Sequence, residues 1–141
     1  LIMEPLYTAE ALSTGDGRSG HVRSSDDTIS VNLAPPQEMG GSGQGSNPEQ
    51  LFAAGYAACF HSALQMVAKA DHKKLGDSAV GARVSIGKEG EGFGLSVVLE
   101  VVVPDLPVEE SRELAEKAHQ VCPYSRATRG NIDVELEVTD Q

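Results

Sequence analysis

Only two cysteines occur in the 141 residues, too few for the disulfide framework that staples small secreted folds. No secretory n-region and h-region precede the first strand pattern, so the reading is of a reducing compartment, the cytoplasm. Basic side chains are scarce too: 11 Lys and Arg stand against 21 Asp and Glu, a net charge of −10. Nucleic acid and anionic membrane surfaces are bound through positive charge, so both are poor partners for this chain. No apolar run approaches the roughly 18 residues of a membrane span. There is no internal repeat and no GxxxxGK[ST] phosphate loop. The length fits one domain over residues 1–141, with Leu1 and Ile2, ahead of Met3, read as a cloning remnant.

What is present organises as βββ-α-ββ-α-β. Leu6 to Thr14 reads as a strand. Gly20 to Ser25 and Thr28 to Leu33 read as two more, joined by Asp26-Asp27. A Gly/Ser-rich stretch, Gly40 to Ser46, leads to a helix start. Asn47 suits the N-cap, Pro48 the first helical position and Gln50 the capping-box partner. Phe52, Tyr56, Cys59, Ala63, Met66 and Ala70 recur at steps of three or four, one apolar stripe on a helix running to about Ala70. Val80 to Ile86 and Leu95 to Val103 alternate as strands around a glycine-rich connection, Lys88 to Gly94. Pro107 opens a helix to Val121, with Glu109 and Glu110 where the dipole favours them. Ile132 to Val138 alternates as a last strand. Strands grouped as hairpins predict an α+β class with antiparallel sheets and a long central helix.

Each cysteine sits in a segment suited to chemistry. Cys59 lies on the helix stripe, and Cys122 ends a helix directly before Pro123-Tyr124-Ser125. Such a pair can cycle between dithiol and disulfide, although two buried inert thiols would account equally well for the count. Cys59-x-His61 and His119-x-x-Cys122 invite a metal reading. Residues two apart on a helix point about 200° apart, so Cys59 and His61 cannot converge on one ion without distortion; His119 and Cys122 could converge, but the signal is weaker than a CxxC pair and no metal is expected. Gly15-x-Gly17-x-x-Gly20 matches a dinucleotide fingerprint in letters alone, since strand and turn residues follow it where a helix is needed. No cofactor is expected.

A nucleophilic Cys59 must be a thiolate, yet burial raises a thiol pKa, and the helix N-terminus is about three turns away. A cation is needed from elsewhere. Arg18, Arg23, Arg126 and Arg129 are candidates, with Glu49 one possible carboxylate partner. Ten residues separate Glu49 from Cys59, about 15 Å of axial rise in a continuous helix, so they cannot touch directly. An acidic residue at a helix N-terminus is otherwise ordinary dipole chemistry.

Three long motifs then carry a resemblance. Asn47-Pro48-Glu49-Gln50-Leu51-Phe52-Ala53-Ala54-Gly55-Tyr56-Ala57-Ala58-Cys59-Phe60 resembles the signature helix of the organic hydroperoxide resistance branch of the Ohr/OsmC family. Gly17 to Asp26 is similar to its arginine loop, and His119 to Asn131, with Cys122-Pro123-Tyr124-Ser125, to its resolving-cysteine segment. The likeness runs from Tyr7 on, with no missing block.

The resemblance implies a thiol-dependent peroxidase on an α+β fold, an intertwined homodimer with active sites near the subunit interface. It implies Cys59 as peroxidatic cysteine, Cys122 as resolving cysteine, and Arg18 and Glu49 as the activating pair. Organic hydroperoxides are the implied substrates, and lipoylated proteins or other dithiols the reductants. Phe52, Tyr56, Phe60 and Met66 are expected to form an apolar wall for the alkyl group, with plain core packing the competing role for some of them. The rival function is a redox-sensing or ligand-binding protein that uses the same disulfide as a signal.

Overall fold

The computed structural model describes residues 2–141. Leu1, read from the sequence as part of a remnant, lies outside them. The described residues form two compact units, 2–48 and 49–141.

The first unit holds a three-stranded antiparallel sheet in chain order: β1 (Ala11–Thr14), β2 (His21–Ser24) and β3 (Ser30–Asn32). Asp26 builds the β2–β3 turn. Its Oδ1 accepts from the Thr28 backbone N–H at 3.1 Å and from the Ser24 and Thr28 hydroxyls, each at 2.8 Å. These bonds, the Thr28 hydroxyl first, lower its pKa to about 2. Asp27 takes the left-handed conformation beside it, at φ 62°. The hairpin therefore turns at the residues the sequence marked. β1 begins at Ala11 and not at Leu6, because β2 offers only four residues, paired from Ala11↔Ser24 to Thr14↔His21.

The second unit is built on α1 (Pro48–Ala70), which begins at the expected proline. β4 (Ala79–Glu89) and β5 (Gly92–Val102) follow, then α2 (Val108–Val121), α3 (Pro123–Thr128) and β6 (Val134–Thr139). β4 and β5 pair over their full length. The expected loop from Lys88 to Gly94 shrinks to the two-residue turn Gly90-Glu91, with Gly90 at φ 58°. The sheet order is β4-β5-β6, and β6 runs parallel to β5, from Val97↔Val134 to Val102↔Thr139. This corrects the antiparallel expectation for that pair. A strand returning after a helical crossover is free to run parallel, and α2 with α3 supplies the crossover.

The core of this unit lies between the sheet and the helices. Val97, Leu99 and Val101 alternate along one face of β5, and Val103 continues that face just past the strand's end. Together they meet Tyr56, Phe60 and Leu64 from α1 and Leu114, Ala115 and Ala118 from α2. The opposite face of the sheet carries an ion-pair cluster, Arg83 with Glu100 and Glu137, all partly exposed.

By length and composition α1 is apolar enough to cross a membrane, which corrects the expectation that no segment reaches that length. Its polar residues, among them Gln50, His61 and Gln65, break the run without lowering its average below that of a span. Tyr56, Phe60, Ala63, Leu64 and Ala68 are packed in the protein's own core.

The buried face of α1 is rotated from the stripe read in the sequence, by about 80° at 100° per residue. Those five residues define it, while Met66 and Ala70 are exposed. Cys59 consequently lies at the edge of the core face, half-buried.

Candidate active site

Pro123 makes the local geometry at Cys122. A proline disfavours helical conformation in the residue before it and suits the first position of a new helix. Cys122 accordingly leaves α2 with φ −61° and ψ 125°, and α3 starts at Pro123. This short helix was not expected from the sequence, although Pro123 is its signal. The break leaves Cys122 fully buried. Its Sγ lies 3.5 Å from Cys59 Sγ, and both thiols are free. A disulfide needs about 2.05 Å, so a closure of roughly 1.5 Å separates the two states.

Burial pushes the Cys59 thiol up, and the Cys122 thiol adds to the rise. The Tyr124 backbone N–H, in the first turn of α3, acts in the other direction. A half-buried thiol in these surroundings is a weak nucleophile at neutral pH unless a cation favours its ionised form.

An aromatic cluster stands beside the thiols. Phe52, Tyr56 and Tyr124 pack with ring centroids 5.6–6.4 Å apart. Gly55 makes room for it: a Cβ there would meet Tyr124 Oη at 2.8 Å. Phe52 and Tyr124 also line a largely apolar groove of about 500 Å³ with Leu95, Pro123, Ala127 and Ile132.

A family model described as OsmC-like protein matches residues 41–137. The chain belongs to the OsmC-like family. It is 53% identical over 133 residues to an organic hydroperoxide resistance protein of Xanthomonas axonopodis pv. citri, covering 93% of each chain. It is 45% identical to the organic hydroperoxide resistance protein OhrB of Bacillus subtilis, covering 94% of this chain and 98% of that one. The crystal structure of an organic hydroperoxide resistance protein from Elizabethkingia anophelis superposes with a TM-score of 0.92 at 50% identity, covering 99% of this chain and 100% of that one. The Ohr/OsmC-like α+β fold expected from the motifs is therefore the fold observed.

Within this OsmC-like chain the candidate residues fall on both units. Cys59 and Cys122 come together. Glu49, in the first turn of the unbroken α1, is about 15 Å along the axis from Cys59. Arg18 lies half-buried on a 3-10 turn, Gly17–Ser19, of the first unit. Phe52 lines the groove. Tyr56 and Phe60 are fully buried, and Met66 is 58% exposed, about two turns beyond Cys59. Tyr124, Leu95 and Ile132 were not singled out in the sequence, since only folding brings β5 and the α3–β6 connection to the same groove.

Of the histidines weighed as ligands, His61 Nε2 bonds Ser78 Oγ at 2.8 Å and His119 Nδ1 bonds Ser125 Oγ at 2.7 Å. Among the described residues no group of three or more His, Cys, Asp or Glu could hold a metal ion.

Proposed function

We propose that the chain is a thiol-dependent peroxidase that reduces organic hydroperoxides to alcohols. The observation that carries the reading is the pair of free thiols 3.5 Å apart, one half-buried and one enclosed. An apolar groove is lined in part by Pro123 and Tyr124, the two residues after Cys122. The names of the relatives agree with the reading.

The Cys59 thiolate attacks the distal oxygen of ROOH. The O–O bond breaks, the alkoxide leaves and takes a proton as ROH, and Cys59 becomes a sulfenic acid. Arg18 stabilises the thiolate and the charge developing on the peroxide oxygens, and Glu49 holds the guanidinium, with the arginine extended between the two or a second subunit spanning the roughly 15 Å of helix from Glu49 to Cys59. The raised pKa of the Cys59 thiol is the reason such a cation is required. Cys122 then condenses with the sulfenic acid, forming the Cys59–Cys122 disulfide and releasing water. A dithiol, such as a lipoylated protein, restores both thiols by exchange and is itself oxidised. Phe52 and the groove receive the alkyl group. The working form is a cytoplasmic homodimer.

Intact mass spectrometry after one equivalent of an alkyl hydroperoxide tests the reading. Loss of two hydrogens, with one equivalent of alcohol formed, is expected. An unchanged mass with the hydroperoxide intact overturns it. Multiple turnovers with a dithiol separate a peroxidase from a redox signal.

A further inference from the structure

The proposed cycle leaves one buried polar cluster without a role. His119 and Ser125 flank Cys122, three residues to either side. Ser125 is fully buried, with its Oγ 2.8 Å from Tyr56 Oη and 2.7 Å from His119 Nδ1. Tyr56, also fully buried, lies on α1 three residues before Cys59. Its Oη is 3.2 Å from Thr128 Oγ1, which donates to the Ser125 carbonyl at 3.2 Å. Among the described residues, no buried side-chain polar atom lacks a partner.

Where α2 meets α3 the chain passes through one extended residue, Cys122, whose own side chain makes no capping bond, and Arg129 Nη2 at the end of α3 donates to the His119 carbonyl across the junction. The bond from His119 to Ser125 spans the junction from one helix to the other. The bond from Tyr56 to Ser125 ties it to the helix that carries Cys59. A small rotation at Cys122 would move its sulfur by more than the roughly 1.5 Å that separates contact from covalent closure.

We propose that the chain Tyr56–Ser125–His119 is a positioning latch, holding the Cys122 junction so that its sulfur stays within bridging reach of Cys59. It governs disulfide closure and leaves peroxide attack alone. This rests on the peroxidase reading for its kinetic consequence, though not for its geometry. Closure competes with a second oxidation, in which another ROOH converts the Cys59 sulfenic acid to a sulfinic acid and leaves as ROH. A loosened latch shifts that partition toward the sulfinic acid.

The test uses Ser125→Ala in the full chain. With an alkyl hydroperoxide, loss of the Cys59 thiol is expected within about twofold of the parent, while closure slows about three- to tenfold, the range for one lost hydrogen bond. The sulfinic acid fraction in excess hydroperoxide rises. Equal slowing of both steps, or an unchanged partition, overturns the latch. The equilibrium of the two thiols with dithiothreitol reads their proximity without any peroxide. Ser125→Ala and Tyr56→Phe should each weaken the disulfide about three- to tenfold, and less than additively together, because they cut the same chain. Unchanged equilibria in both variants overturn the proposal. If the parent fails to consume hydroperoxide, the peroxidase reading falls, and the dithiothreitol equilibria still decide the latch.

Discussion

Cys59 and Cys122 are 3.5 Å apart and occupy opposite kinds of site. Cys59 sits mid-helix, on an unbroken α1, at the edge of the core face and half-buried. Cys122 sits where helix is interrupted, extended before a proline and fully buried. A helix position gives fixed geometry and an approach from one side, which suits a nucleophile meeting an external substrate. A junction enclosed by core gives shelter from that substrate and freedom to close a short gap, which suits a resolving thiol. Under the proposed cycle, the difference in backbone would divide the labour between two chemically identical groups.

Serine substitutions at the two positions separate these roles most strongly. Cys59→Ser should reduce peroxide consumption by more than about a thousandfold even in the first turnover, since a hydroxyl lacks the thiolate's nucleophilicity. Cys122→Ser should complete one turnover and then stop, with two or more oxygens added at Cys59 in excess hydroperoxide. Stopped-flow consumption with intact mass spectrometry checks both. A Cys122→Ser protein that turned over repeatedly without over-oxidation would remove the distinction.

Arg18→Ala tests whether the more accessible thiol depends on a borrowed charge. A neighbouring cation shifts a pKa by about one to three units, so the rate at neutral pH should fall about ten- to a thousandfold with folding intact. The rate should recover as pH is raised. A rate at pH 7 equal to the parent's would end the activation scheme.

The enclosed side has its own titration. Burial, with Arg129 adding, lowers the His119 pKa below 6.5. The unfolded chain therefore binds more protons between the folded value and 6.5. Stability is full above 6.5 and is lost as pH falls toward the folded value. Thermal midpoints should drop on acidification from about pH 7 to about pH 5, and His119→Gln should shrink that drop. An identical pH profile in the variant would show that His119 does not titrate with folding.

The two cysteine sites also differ in how plainly the sequence displayed them. Pro48 marked the start of α1, and Pro123 marked the interruption at Cys122, because proline acts through its own backbone. The alternating strands β4 and β5 were legible for the same local reason. The buried face of α1 was placed wrongly around the helix, since alanines at Ala54, Ala57 and Ala58 fit either side of an apolar stripe. The parallel β6 was not legible, because strand direction follows from the crossover and not from alternation. Ser125 stood in the sequence as part of a motif and His119 as a polar helix position or possible ligand. Nothing local tied either to Tyr56, 69 positions from Ser125, which only folding sets against the Ser125 hydroxyl.

Gly55 offers the finest probe of the accessible side, because two effects of similar size oppose each other there. Replacing a mid-helix glycine by alanine favours the helix by about 1 kcal/mol. The new Cβ would stand 2.8 Å from Tyr124 Oη and 3.3 Å from two ring carbons. Overpacking of a rigid core costs about 1–3 kcal/mol, but Tyr124 is 40% exposed and can swing outward. The cost is then relieved by moving the ring, and the net change in stability should be under about 1 kcal/mol. The displaced ring belongs to the wall of the apolar groove, so the effect should appear in substrate preference. In Gly55→Ala, kcat/KM for a bulky alkyl hydroperoxide should fall by about two- to fivefold relative to hydrogen peroxide, on the order of one lost apolar contact. An equal change for both peroxides would place the alkyl group outside this groove.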